Sequence, residues 1–314
     1  MDVYIIGSPF TGKTTLLQRL TGGKGVGSLK LNDKRFKALV DFFKPKKITP
    51  PFINLHDSDV LGKMFSYGKE RSLFQQLVNA DAFVEVVGGL TENFTTFTDT
   101  TLKFLSIESE VLEGNIQRLK KEVSAGKGDQ KVLEVLEKAY KILSEGVPLN
   151  SGDFSDEERK ILKGYGFLSL KPRLVVLNIT ENSKIEDSVY EELQSQNLPY
   201  LVFNVLKDDV DDITEKLFHK LLEILRLVVF FTPSEKEVRG WLLEKGSTVV
   251  DAAGKIHKDL ARTFVRAEVI NWEDLIKNGG WKGAREKNLI RLEGKDYVVK
   301  DGDCIYIRAS AIKS

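Results

Sequence analysis

Three observations predict an α/β chain built on a doubly wound sheet. A glycine-bounded loop sits between an apolar strand, Val3–Ile6, and a helical stretch from Thr14 to Leu20. Short apolar runs alternate with helical segments on either side of one interruption, as parallel strands joined by crossover helices require. From Val228 onward the pattern becomes that of a small α+β module. The expected division is residues 1–98 as the first part of the α/β domain, 99–169 as an inserted helical arm, 170–227 as the second part, and 228–314 as a carboxy-terminal domain.

The strands are Val3–Ile6, Phe52–Leu55, Ala82–Val87, Leu174–Leu177 and Tyr200–Phe203. They are short and nearly continuous in apolar residues, because strands covered on both faces lose the in-out alternation. Helices follow the first, from Thr14, and the last, over Val210–Leu227. In the interruption, Leu102, Leu105, Leu112, Ile116, Leu119 and Val123 fall on a and d positions of a heptad, which predicts a long helix with one apolar seam. Ser124–Asp129 makes a turn, and Val132, Val135 or Leu136, Ala139 and Leu143 give a returning stripe, so the arm is an antiparallel helical hairpin. Ser155 with Glu158 caps a further short helix. In the carboxy-terminal part, strands are expected at Val228–Thr232, Gly240–Leu243 and Phe264–Ile270, and helices near Val249–Ile256 and Trp272–Lys277. Two last strands, Tyr297–Lys300 and Ile305–Arg308, are expected to pair as a hairpin across Asp301–Gly302–Asp303.

Composition narrows the setting. With 314 residues the chain is long enough for two or three domains. Charged residues are 30% and hydrophobic residues 41%, and no apolar run is long enough to span a bilayer. No membrane partner is expected. The single cysteine, Cys304, excludes an internal disulfide, and three scattered histidines give no zinc pattern. A cytoplasmic protein is the expectation, with no removable leader before a loop that begins at residue 7. The net charge is +1, but residues 228–314 hold 16 Lys and Arg against 13 Asp and Glu, while the rest holds 31 against 33. The mild excess, which includes Lys255, Lys258, Arg262 and Arg266, is compatible with RNA and equally with a solvated surface.

The loop is Gly7-Ser8-Pro9-Phe10-Thr11-Gly12-Lys13-Thr14, followed by Thr15. Glycines at 7 and 12 let the backbone wrap phosphate oxygens, with N–H groups and the positive end of the next helix facing the anion. Lys13 reaches the outer phosphates and Thr14 offers its hydroxyl to Mg²⁺. This is a P-loop, and the expected ligand is a nucleoside triphosphate with Mg²⁺. A second metal contact is expected from the end of the next strand, where Asp57 and Asp59 compete and Asp57 is favoured. Neighbouring His56 reads as a structural residue more readily than as a base. Base recognition is expected at Asn178, Ile179 and Glu181, and Asn204 with Val205 would line the other side. A guanine site would carry Asp where Glu181 stands and Lys where Ile179 stands, so ATP is at least as good a reading as GTP.

These pieces together resemble the Obg-related YchF family, also called Obg-like ATPases. The resemblance rests most on Phe230-Phe231-Thr232, Glu235–Trp241, Ala252–His257, Phe264–Ile270 and Arg291–Val299 with Asp301-Gly302-Asp303, which are similar to that family's TGS module. Thr100–Glu113, Lys171-Pro172 and Phe42–Pro51 agree with it as well. It implies a P-loop domain interrupted by a helical arm, a ubiquitin-like β-grasp TGS domain, and a preference for ATP over GTP. It further implies association with the ribosome or RNA through the TGS domain and the arm, with no DNA partner.

The chain departs from the family where hydrolysis would be controlled. Phe10 stands in place of an Asn, the switch segment after Thr21-Gly22-Gly23 is missing, Val60 replaces a glycine that would sense the γ-phosphate, and the arm is short. Leu61 keeps the hydrophobic residue that the family has in place of a water-positioning Gln. The resemblance therefore implies nucleotide binding with slow hydrolysis at Lys13 and Asp57. A scaffold that holds nucleotide without turning it over is the alternative. A small-molecule kinase is a third, without a visible arginine lid.

Overall fold

β1 (Asp2–Ile6) lies between β4 (Phe52–Asp57) and β5 (Ala82–Gly88) and runs parallel to both. β6 (Arg173–Asn178) and β7 (Tyr200–Phe203) extend the sheet in parallel beyond β5, and β2 (Val26–Lys30) forms the edge beside β4. The structure, a computed structural model, describes residues 1–59 and 75–310. β5 and β6 are buried along their whole length, as their continuous apolar runs require. Two charges interrupt those runs. The Glu85 and Arg173 side chains pair diagonally across β5 and β6 at 3.1 Å, and Thr100 Oγ1 donates to Glu85 at 2.6 Å. Burial costs each ion its hydration, so this pair persists because its hydrogen bonds are made inside the protein.

The strand order changes direction between β1 and β5, and the loops after β1, β4, β5, β6 and β7 all leave from the carboxyl ends. Open α/β sheets place ligands at that edge.

The arm is α3 (Thr96–Ser124), α4 (Gln130–Ser144) and α5 (Asp156–Lys163). Asp129 caps α4 by accepting from Lys131 N at 2.8 Å, and Ser155 and Glu158 form the expected capping box. Leu105, Leu112 and Ile116 of α3 bury against Leu133, Leu136, Ala139 and Leu143 of α4. Leu102 leaves the seam and is 59% exposed. The seam buried against α4 begins at Leu105.

The chain divides into two units by packing: residues 1–28 with 54–213, and residues 29–53 with 214–314. This differs from the division read along the sequence, in which 29–53 belong with the first part and the last domain begins at 228. The reason is local to the second unit. β3 (Lys47–Thr49) pairs in parallel with β9 (Glu237–Glu244), and Thr49 Oγ1 donates to Glu237 at 2.7 Å. α2 (Lys34–Phe43) brings Phe36 to 6.2 Å from Phe231, and Arg35 bridges Asp33 and Asp301. α7 (Val210–Ile224) spans the point of division.

The second unit's sheet runs β11 (Arg291–Glu293), β10 (Phe264–Asn271), β12 (Asp303–Ala309), β8 (Leu227–Pro233), β9, β3. β8 and β9 form an antiparallel hairpin, β12 runs parallel to β8, and α8 (Val249–Ile256) packs Val249, Ala252 and Ala253 against Phe230, Val269 and Ile305. Three short helices complete it: α9 (Lys258–Arg262), α10 (Trp272–Lys277) and α11 (Gly280–Glu286).

The expected closing hairpin is not formed. Tyr297–Lys300 makes only an isolated bridge at Val298, to Thr248, and β12 pairs instead with β10 and β8. Asp301 explains the difference: its Oδ1 accepts from Val229 N at 2.8 Å, which turns the segment toward β8. Cys304 is buried in β12, where burial raises its thiol pKa.

Candidate functional site

The first unit has a cleft of about 460 Å³ at the carboxyl edge of its sheet. Its floor is the P-loop. Gly7 has φ of 141°, and a Cβ there would meet Val86 O at 2.3 Å, so only glycine lets the loop leave β1 this close to β5. Gly12 takes φ of 98° as the N-cap of α1 (Lys13–Thr21), with no side chain capping the helix. The first N–H groups of α1 are thus left for an anion. Thr11 is fully buried and donates to Ser8 O at 2.9 Å, so it shapes the loop from within. Pro9 and Phe10 are on the exposed outer bend.

Lys13 Nζ donates to Ser8 O at 2.8 Å, a bond that folds the side chain over its own loop. Burial lowers its pKa, and the negative charges of Asp59 and then Asp57 oppose that shift. The two carboxylates therefore act on different groups. Asp59 is the stronger pull on Lys13, whereas Asp57, the last residue of β4, accepts from Thr14 Oγ1 at 2.5 Å. Asp57 Oδ1 is buried and has no hydrogen-bond partner among the described residues. A buried carboxylate oxygen left unpaired beside a hydroxyl is an all-oxygen donor pair, which suits a hard cation such as Mg²⁺ that takes its other ligands from phosphate and water. His56 turns away from this edge. Its ring stacks on Tyr4 at 4.8 Å and its Nε2 bonds Asp2 Oδ1 at 2.8 Å, which lowers the Asp2 pKa.

The other wall is formed after β6 and β7. Asn178 is buried, and both ends of its amide are used within the protein: Nδ2 donates to Thr11 O at 2.8 Å and Oδ1 accepts from Val205 N at 3.0 Å. It braces the P-loop against the β7 loop and lines the cleft. Asn204 likewise accepts from Leu206 N and Lys207 N at 3.2 and 3.1 Å, which shapes the loop that Val205 begins. Arg19 of α1 donates to the carbonyls of Val205 and Asp208 and ties that loop to α1. Ile179 and Glu181 reach the cleft, and Glu181 is paired with Lys207 at the surface.

Thr14, Thr15, Asn178, Ile179, Glu181, Asn204 and Val205 thus line one cleft with Gly12, Phe10 and Lys13. Gly7, Pro9 and Thr11 hold the loop without lining the cleft. Gly89, Leu90, Thr180, Leu206 and Lys207 also line it and escape sequence reasoning. The Gly88-Gly89 pair after β5 is the one signal that marks the first two of them. A Cβ on Gly89 would lie 2.7 Å from Thr11 O, and Leu90 N donates to Phe10 O at 3.2 Å. Val60 and Leu61, singled out above by the family resemblance, lie outside the described residues.

Fold and site together define a P-loop α/β protein with an inserted helical arm and a β-grasp carboxy-terminal domain. The family model YchF-GTPase_C, described as a protein of unknown function (DUF933), matches residues 227–310. A ribosome-binding ATPase YchF of Haemophilus ducreyi is 30% identical, over 97% of this chain and 98% of that protein. One of Bacillus subtilis is 27% identical over 97% and 98%. A solved structure of the Schizosaccharomyces pombe YchF GTPase shares the fold, with a TM-score of 0.83 at 21% identity, over 98% of this chain and 97% of that one. The chain belongs to the YchF family. The match to the H. ducreyi protein extends over 358 aligned positions against 314 residues here, so more than forty of those positions have no counterpart in this chain.

Proposed function

We propose that the protein binds ATP with Mg²⁺, with GTP as the alternative nucleotide, hydrolyses it slowly, and associates with the ribosome in the cytoplasm. The observation that carries the reading is the P-loop at the switch point of the sheet, with Lys13 folded over it and Thr14 hydrogen-bonded to Asp57. In this reading the N–H groups of residues 10–14 and the start of α1 hold the β- and γ-phosphates, and Lys13 neutralises them. Thr14 and Asp57 would hold Mg²⁺, which when bound shields the phosphate charge against an attacking oxygen. Asn178 and Arg19 keep the two walls at their spacing.

Slow turnover follows from what the described residues of the cleft lack. His56 is engaged with Asp2 and Tyr4, and neither a Gln nor an arginine finger reaches the cleft among the described residues. Positioning and charge stabilisation then rest on Lys13 and the metal. The ribosome is the named partner of the bacterial relatives, and the basic excess of residues 228–314 is the feature here that suits an RNA surface. The test is phosphate release from ATP by wild type and Lys13→Ala, together with salt-dependent co-sedimentation with ribosomes. Release unchanged by Lys13→Ala refutes the enzymatic reading, and absence from the ribosomal pellet at low salt refutes the partner.

A second reading, a nucleotide-holding scaffold without turnover, is favoured by Phe10 and by the aligned positions that are missing here. Single-turnover measurement with bound ATP separates the two: no product over hours at saturating occupancy selects the scaffold.

A further inference from the structure

Among the described residues, the three most exposed large apolar side chains are Leu90, Phe10 and Leu206, at 79, 77 and 72%. All three line the P-loop cleft. Singly exposed apolar side chains are ordinary, but three from three separate loops converging on one concavity mark a binding surface. Each is held in place by its backbone. Leu90 N donates to Phe10 O at 3.2 Å, and Leu206 N donates to Asn204 Oδ1 at 3.2 Å. Phe10 also adopts φ of +65°, a conformation that favours glycine, yet it carries a phenyl ring. Strain kept at a site beside a phosphate loop points to a use for the side chain.

Two polar side chains of the same cleft are already engaged within the protein. Asn178 spends its amide on Thr11 and Val205, and Glu181 is neutralised by Lys207. Three apolar groups on the same cleft are free to cover the faces of a base.

We propose that Phe10, Leu90 and Leu206 form a nucleoside clamp that grips a purine and its ribose by apolar contact, so that adenine and guanine are held with similar affinity. The inference rests on the nucleotide-binding reading above and adds how the nucleoside is selected. Phe10 is then a specificity-determining residue: it replaces hydrogen-bond readout with stacking, which every purine satisfies.

The experiment is calorimetric titration of the full chain with MgATP, MgGTP and Mg-tripolyphosphate, the last lacking a nucleoside. Wild type is expected to bind ATP and GTP within about tenfold of each other, close to 1.4 kcal/mol. Phe10→Ala and Leu206→Ser are each expected to weaken both nucleotides by about tenfold, and Leu206→Ser, which lies away from the phosphate loop, to leave tripolyphosphate unchanged. Phe10→Trp restores the affinity. Leu206 is exposed, so its variant tests the clamp without risk to folding. Unchanged ATP affinity in both variants overturns the clamp while the nucleotide reading stands. A wild-type preference for one purine well beyond tenfold overturns stacking as the selector. Binding of neither nucleotide nor tripolyphosphate by wild type overturns the nucleotide reading and the clamp with it.

Discussion

Thr14 Oγ1 donates to Asp57 Oδ2 at 2.5 Å, joining the first turn of α1 to the last residue of β4. The bond leaves Asp57 Oδ1 buried and without a partner among the described residues, so the loop that would hold phosphate and the strand that would hold a cation are already in register. Because an isolated buried carboxylate oxygen is unfavourable, the pair should be completed by metal. Asp57→Asn is expected to weaken ATP binding in Mg²⁺ by about tenfold, or ~1.4 kcal/mol, with little change in EDTA. Titration calorimetry with and without Mg²⁺ checks it, and equal losses in both conditions would count against a metal role.

Gly89 touches no charge, yet it controls the loop. Its φ is 64° and a Cβ would stand 2.7 Å from Thr11 O. Gly89→Ala is expected to push the P-loop outward, destabilising the protein by about 1–3 kcal/mol. ATP affinity should fall with it although the residue reaches no phosphate. Urea denaturation read alongside nucleotide titration tests this; a variant that loses stability alone would show the loop to be more compliant than its packing implies.

The central strands were legible because burial on both faces leaves an unbroken apolar run, and the P-loop because glycine spacing has a backbone reason. Asp57 was found by its place at a strand end. The heptad of α3 was visible from Leu105 onward, but nothing local marks Leu102 as outside the seam. Residues 29–53 misled for a different reason. Lys47–Thr49 is three residues long with two of them polar, and it pairs with a strand 188 residues away in the Thr49–Glu237 contact. Such pairing is decided by tertiary packing, which no window of sequence contains. Leu90, Leu206 and Lys207 join the cleft by the same kind of convergence, each from a loop unremarkable in itself.

Gly240 tests that long-range docking. It lies in β9 with ordinary strand geometry, where valine would be favoured by propensity, but a Cβ would lie 2.5 Å from Pro51 Cδ. Gly240→Val is expected to destabilise by about 1–3 kcal/mol despite its better strand propensity. Gly114→Ala, in α3 with open space around it, should stabilise by about 1 kcal/mol. Urea midpoints compare the two, and a stabilising Gly240→Val would mean that residues 47–51 do not hold β9.

Glu108 provides a pH signature. It is fully buried in α3, accepts from Ser169 N at 2.9 Å and from the Ser169 hydroxyl, and burial raises its pKa from 4.5 to about 7. The raised value means that the folded state prefers the protonated acid. Its contribution is therefore fully present below pH 4.5 and is lost as pH rises to about 7. By the free energy per pKa unit, the loss is about 3 kcal/mol. Lys171 shifts the other way, down from 10.5 to about 8, so its stabilising release of a proton falls at higher pH and leaves this window clear. Glu108→Gln keeps the hydrogen-bonding shape without the charge. It is expected to flatten the fall in stability between pH 4.5 and 7 and to raise the unfolding midpoint relative to wild type above pH 7. Urea unfolding of both proteins across that range is the check, and parallel pH profiles would show that Glu108 stays ionised at its site.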